Sequence, residues 1–276
     1  MVSGTNPQSK TKTRRSAAKI RLPAVAGSFY PDDGSQLITL LDDFCSKTEE
    51  LPDGKNLKAL IVPHAGLIYS GQTAAWGYRQ IPATVLDRPA VIIAPSHHYP
   101  FSGMAASPDN QWQTPLGIIR QIPPRHFADD VFPDDLVHLS EHSVEVQLPF
   151  LQYLYPGLSV TCFVTGQSVD TASLSGFLDQ EFSGSLYIFS SDLSHYLPES
   201  EARQTDTATI NAILKLDSEY LKSTDNCACG SVGISVLLQM AKQKSWHGKL
   251  IKYDTSASAS GDKSAVVGYG AVGFYG

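Results

Sequence analysis

The chain has 276 residues, of which 42% are hydrophobic and 17% charged, the balance of a globular protein with a large core. Its formal charge is −6, but residues 1–21 hold six basic side chains and no acidic one, leaving 15 basic against 27 acidic residues in the rest. An acidic body disfavours nucleic acid as the principal partner. No apolar run reaches the roughly 18–20 residues that a membrane-spanning helix needs, so no membrane segment is expected.

The first 20 residues, a polar, Ser- and Thr-rich basic stretch, are expected to form a disordered tail. Residues 21–276 then form one domain, because no long polar linker interrupts them. No secretory h-region is visible and the four cysteines are scattered, so a reducing cytoplasm is the expected compartment.

Taken in chain order, Leu37, Leu40, Leu41 and Phe44 recur at helical spacing. The β-branched run "LKALIV" (57–62) predicts a strand, as does "AVIIA" (90–94). Residues 99–140, rich in Pro, Asp and Gly, predict an irregular excursion with at most a hairpin at "WQTPLGIIRQ". A helix follows over 143–153, with Pro149 as a kink or stop. Strands "LSVTCFV" (158–164) and "SLYIF" (185–189) bracket a helical pattern at Leu174, Phe177 and Leu178. Ile234, Leu237, Leu238 and Ala241 mark another helix, before strands at "KLIKY" (249–253) and "SAVVGYGAVGFY" (264–275). The alternation predicts an α/β fold with a mostly parallel central sheet flanked by helices.

In such sheets ligands bind beyond the carboxyl ends of the strands. Three predicted strand ends carry the same chemistry: His64 follows the first, His97 and His98 the second, Asp192 and His195 the fourth. Neutral imidazoles with a carboxylate and open positions suit ferrous iron or zinc. His64 and His97 are therefore metal-ligand candidates, and Asp192 with His195 the proton-handling pair, brought together by one short turn. Glu141, His142 and Glu145 share one helical face through i,i+3 and i,i+4 spacing. If that face meets the rim, His142 and Glu145 join the binding site. Cys229 precedes a helical pattern, where a thiolate is favoured, and is a further binding candidate, although a small residue packed at the helix start is the simpler reading. Ser191, Asp192 and His195 also sketch a hydrolase triad, but no Gly-x-Ser-x-Gly elbow accompanies them.

The stretches "PAVAGSFYP" (23–31), "VPHAGLIYSG" (62–71), "APSHH" (94–98), "EHSVEVQLPF" (141–150), "SSDLSHY" (190–196) and "ACGSVGI" (228–234) resemble, in order, the motifs of the Memo family. Its prokaryotic members are called protein B of the AmmeMemoRadiSam system. The resemblance runs from about Arg21 to the C-terminus. It implies a fold similar to class III extradiol dioxygenases and a metal pocket built from His64 and His97, lined by Asp192 and His195. The animal protein adds a cysteine from the loop before the last strand. Here that loop reads "YDTSASASGDKSAVV", and Asp262 is the carboxylate available to complete the set. The implied cofactor is a divalent metal, iron ahead of zinc. The implied function is a metal-dependent enzyme, oxidative or hydrolytic. The alternative is a non-catalytic module holding an anionic peptide or small ligand in the same cleft. Association within the family's system implies Ammecr-like and radical SAM proteins as partners.

Overall fold

A computed structural model describes residues 19–49, 56–82 and 87–276. The tail expected over 1–20 lies outside the described residues as far as residue 18. Ile20–Arg21 is already a short strand, pairing in parallel with Gln111 and Trp112.

The centre of the molecule is a large mixed sheet. Four neighbouring strands run parallel: Leu57–Val62 beside Tyr187–Ser190, then Ala90–Pro95, then Val160–Thr165. Each is buried along nearly its whole length, which explains why they read as continuous apolar runs and not as alternating ones. The parallel order stops at both sides. Val266–Tyr275 adds antiparallel to Leu57–Val62, and His247–Thr255 pairs antiparallel with it in turn. On the other flank Met104–Ala106 joins antiparallel to Val160–Thr165 and carries Val131–Pro133.

Helices cover both faces and split the core in two. On one face, Leu37 and Leu41 of Gly34–Ser46, Leu67 and Tyr78 of Leu67–Tyr78, and Phe150 pack on Leu60, Val62 and Ile92. On the other, Leu174 and Leu178 of Thr171–Phe182, Ile213 of Glu199–Leu214 and Leu237 of Ser231–Lys244 pack on Ile61, Ile93 and Phe189. Each such side chain, fully buried, contributes about 1.5–3 kcal/mol. Asp33 and Asp170 cap two of these helices by accepting from backbone N–H groups two to three residues on.

Two expectations need correcting. Residues 99–140 are more ordered than their composition suggests. The hairpin is present as Gln111–Thr114 with Gly117–Arg120, and two further short strands extend the main sheet. Their ladders come from tertiary neighbours, which local composition does not report. The helix expected over 143–153 is interrupted at 146–147, and Pro149 sits just past that break, not inside a continuous helix. It stands in the first turn of Leu148–Leu154, where its missing N–H costs nothing, after a separate single turn over His142–Glu145.

Candidate metal centre and pocket

The loops after Leu57–Val62 and Ala90–Pro95 and the turn His142–Glu145 meet at the carboxyl end of the parallel strands. They bring His64, His97 and His142 together, with one ring nitrogen from each within 4.8 Å of the others. Ring centroids are 5.2 Å apart for His64 and His97, 5.4 Å for His64 and His142, and 4.6 Å for His97 and His142.

The outer nitrogens are occupied. Ser190 Oγ lies 2.8 Å from His64 Nδ1 and donates to the Ser143 carbonyl. Gln147 Nε2 donates to Ser190 Oγ and to the Pro63 carbonyl, and Tyr78 donates to Gln147 Oε1. Glu141 Oε1 lies 2.9 Å from His97 Nδ1 and 3.4 Å from His142 Nδ1. Its other oxygen accepts the His97 backbone N–H. One carboxylate thus orients two imidazoles, the arrangement that supports metal-bound histidine.

Burial pushes the His64 imidazole well below its usual value, and His97 and His142 add to the effect. Burial also takes His142 down to about 4, against the pull of Glu141. Both rings are neutral near pH 7, the state a metal requires. Burial pushes Glu141 up, but hydrogen bonds from the His97 ring, the His97 N–H and the Ser143 N–H outweigh it and hold the carboxyl well below the usual range. The donor set therefore fits a divalent metal that accepts imidazole, as iron and zinc do.

Asp192 is buried, and its Oδ1 accepts the backbone N–H groups of His64 and Ala65. Burial raises its pKa to about 6, partly offset by those two bonds. The expected pairing of Asp192 with His195 is not found among the described residues. Residues 191–194 do not form a helical turn, and His195 begins the short strand His195–Leu197. Asn226 holds His195 instead, accepting its N–H and donating to its carbonyl. The His195 ring still lines the pocket, its pKa lowered by burial.

Glu145 lies away from the pocket. It is fully buried and forms an ion pair with Arg21, accepts the Tyr30 hydroxyl, and takes the N–H groups of Ala24 and Val25. The shared helical face failed because His142–Glu145 is a single turn with Glu141 as its extended N-cap. Asp262 stands exposed at the mouth, outside the histidine group, with Oδ1 accepting the Ser264 N–H and hydroxyl. His142 is the third member of the group. Cys229 lies at the back, its Sγ 3.3 Å from His64 Nε2 and accepting the Asp192 N–H at 3.2 Å. Burial, then Asp192, push its thiol far up, so it stays protonated. Gly230 lets this segment press against the strand end, because a Cβ there would meet the Ser190 carbonyl at 2.8 Å.

Above the histidines opens a cavity of about 610 Å³ whose walls include Phe29, Tyr69, Tyr196 and Tyr269. Phe29 packs on His142 with ring centroids 4.7 Å apart. None of these aromatic residues was singled out from sequence. Phe29, Tyr69 and Tyr196 carried a signal, by lying inside the motifs at 23–31, 62–71 and 190–196. Glu141 was visible as a neighbour of His142, but its role depends on a loop 44 residues away.

Fold and site together define an α/β protein with a histidine-lined pocket, able to hold a metal, at the strand carboxyl ends. The model of the family described as Memo-like protein matches residues 21–273, and the chain belongs to that family. A MEMO1 family protein of Ignicoccus hospitalis is 36% identical, over 92% of this chain and 98% of its own length. One from Thermoplasma acidophilum is 35% identical, over 90% and 96%. A solved structure of an uncharacterized Escherichia coli K12 protein covers 78% of this chain and 99% of its own at 12% identity, with a TM-score of 0.36, too distant a likeness to bear on function. No helix among the described residues is long and apolar enough to cross a membrane.

Proposed function

We propose that this protein is a metal-dependent enzyme that holds a divalent ion, iron or zinc, through His64, His97 and His142 and transforms a small molecule in the cavity above them. The carrying observation is the convergence of three imidazole nitrogens within 4.8 Å, backed on the outer side by Ser190 at His64 and by Glu141 at His97 and His142. A metal bound there would supply Lewis-acid chemistry and, as ferrous iron, dioxygen binding. The chain's own residues do the rest. Glu141 and Ser190 fix ring orientation. Asp192 ties down the loop that carries His64. His195, neutral near pH 7, takes a proton from the ligand at an imidazole nitrogen.

Metal analysis of protein purified without added metal tests this reading. Near-stoichiometric iron or zinc is expected, falling below a tenth of that level in the His64→Ala, His97→Ala double variant, an estimate that follows from losing two of three ligands. His142→Ala should weaken retention strongly while Asp262→Asn leaves it intact. Folded protein that neither carries nor takes up either metal would sink the proposal.

A further inference from the structure

The walls of the cavity say what kind of molecule enters it. Tyr69 and Tyr196 stand at the mouth, 45% and 76% exposed. Tyr196 holds φ 60°, a left-handed conformation unusual for a bulky residue. The double hydrogen bond between Asn226 and His195 fixes the preceding residue. Backbone strain of this kind concentrates at functional sites, and here it presents an aromatic ring to solvent at a pocket rim. Deeper in, Tyr269 is 1% exposed, lines the cavity and has no hydrogen-bond partner for its hydroxyl among the described residues. The hydroxyl is not among the sealed-off polar atoms of the described residues, so a molecule in the cavity can reach it.

The charges around the cavity are one-sided. No lysine or arginine lines it. Its carboxylates are Asp192, turned to the backbone of His64 and Ala65, and Asp262 at the mouth. The neighbouring cation, Lys263, pairs with Glu199, as does Arg203. Asp262 Oδ1 is used by Ser264, while no described residue engages Oδ2.

We infer that the cavity admits a small flat-ringed ligand carrying a positively charged arm, which stacks between the mouth tyrosines, accepts from the Tyr269 hydroxyl and sets its cation against Asp262 and the aromatic faces. The inference rests on this cavity being the substrate site of the proposed enzyme. For the metal-free cavity it adds selection against anionic ligands, whose charge would meet Asp262 at a mouth lined by no lysine or arginine. Aromatic faces attract cations as well as flat rings.

Three non-chelating phenols of similar size separate the charge effect from metal binding: tyramine (cationic), p-cresol (neutral) and 4-hydroxyphenylacetate (anionic). Their dissociation constants are measured by equilibrium dialysis in metal-free protein, so the result stands or falls apart from metal content. Tyramine should bind about five- to tenfold more tightly than 4-hydroxyphenylacetate at low salt, with p-cresol between, the size expected of a partly exposed charge at a rim. Asp262→Asn should reduce that ratio to about twofold or less. Tyr196→Ala should weaken all three, and Tyr269→Phe should do so without changing their order. An unchanged ratio in Asp262→Asn, tighter binding of the anion, or no binding of any of the three would overturn the inference. Loss of metal binding with the charge order intact would instead sink the enzyme proposal alone.

Discussion

Glu141 and Glu145 lie four residues apart and are equally buried, yet they serve different ends. Glu145 meets a guanidinium, a phenol and two backbone N–H groups, and so pins the segment Arg21–Tyr30 against the body of the molecule. Arg21 also stacks over Trp112 at 4.6 Å and donates to the carbonyls of His138 and Glu141. Glu141 instead meets two imidazoles and has no lysine or arginine beside its carboxylate. The first cluster is electrically closed and holds the fold. The second is open on its inner side, where a metal would complete it.

Breaking the closed cluster should have the largest effect. Glu145→Gln leaves Arg21 buried without its anion and should destabilise the protein by about 3–5 kcal/mol in urea unfolding. The pair Arg21→Met, Glu145→Leu should recover much of that loss, because two buried charges then disappear together.

Glu141→Gln should sharpen the contrast by sparing the fold and loosening the rings. Affinity for iron or zinc, measured against a competing chelator, should fall by about 10–100-fold. A drop in stability as large as that of Glu145→Gln would erase the distinction between the two carboxylates.

Acid should find the closed cluster through His138, whose carbonyl accepts from Arg21. Burial takes its imidazole down to about 4, while Nε2 faces the Ala105 carbonyl. The folded ring therefore stays neutral where the unfolded one protonates. Its contribution is complete above about pH 6.5 and is lost as pH falls toward 4, amounting to about 2 kcal/mol at pH 5. Urea unfolding at pH 7 and pH 5 should show that loss, reduced by a similar amount in His138→Phe. An equal loss in the variant would remove His138 from the account.

The smallest effect belongs to the mouth. Asp262→Asn, exposed and outside both clusters, should leave the thermal midpoint unchanged. A large shift would mean that the loop before the last strand supports the fold.

Much of the architecture was legible along the chain. The four parallel strands appeared as continuous apolar runs because burial on both faces leaves no room for polar alternation. The metal candidates His64 and His97 were visible because each closes such a run, and the order of motifs pointed to the family. The short strands inside 99–140 were not legible, since Met104–Ala106 is held by Val160–Thr165 from outside that segment and in turn carries Val131–Pro133.

The sequence by itself determined the α/β alternation, the strand-end histidines and the family, since each is written in local periodicity or in contiguous motifs. The tertiary structure decided that His142 completes the histidine group and Asp262 stays at the mouth. It also decided that Asp192 binds backbone in place of His195, and that Glu141 and Glu145 face different clusters. The reason is physical: side-chain direction at a one-turn helix or a loop is set by the neighbours it meets, and those neighbours come from segments tens to more than a hundred residues away.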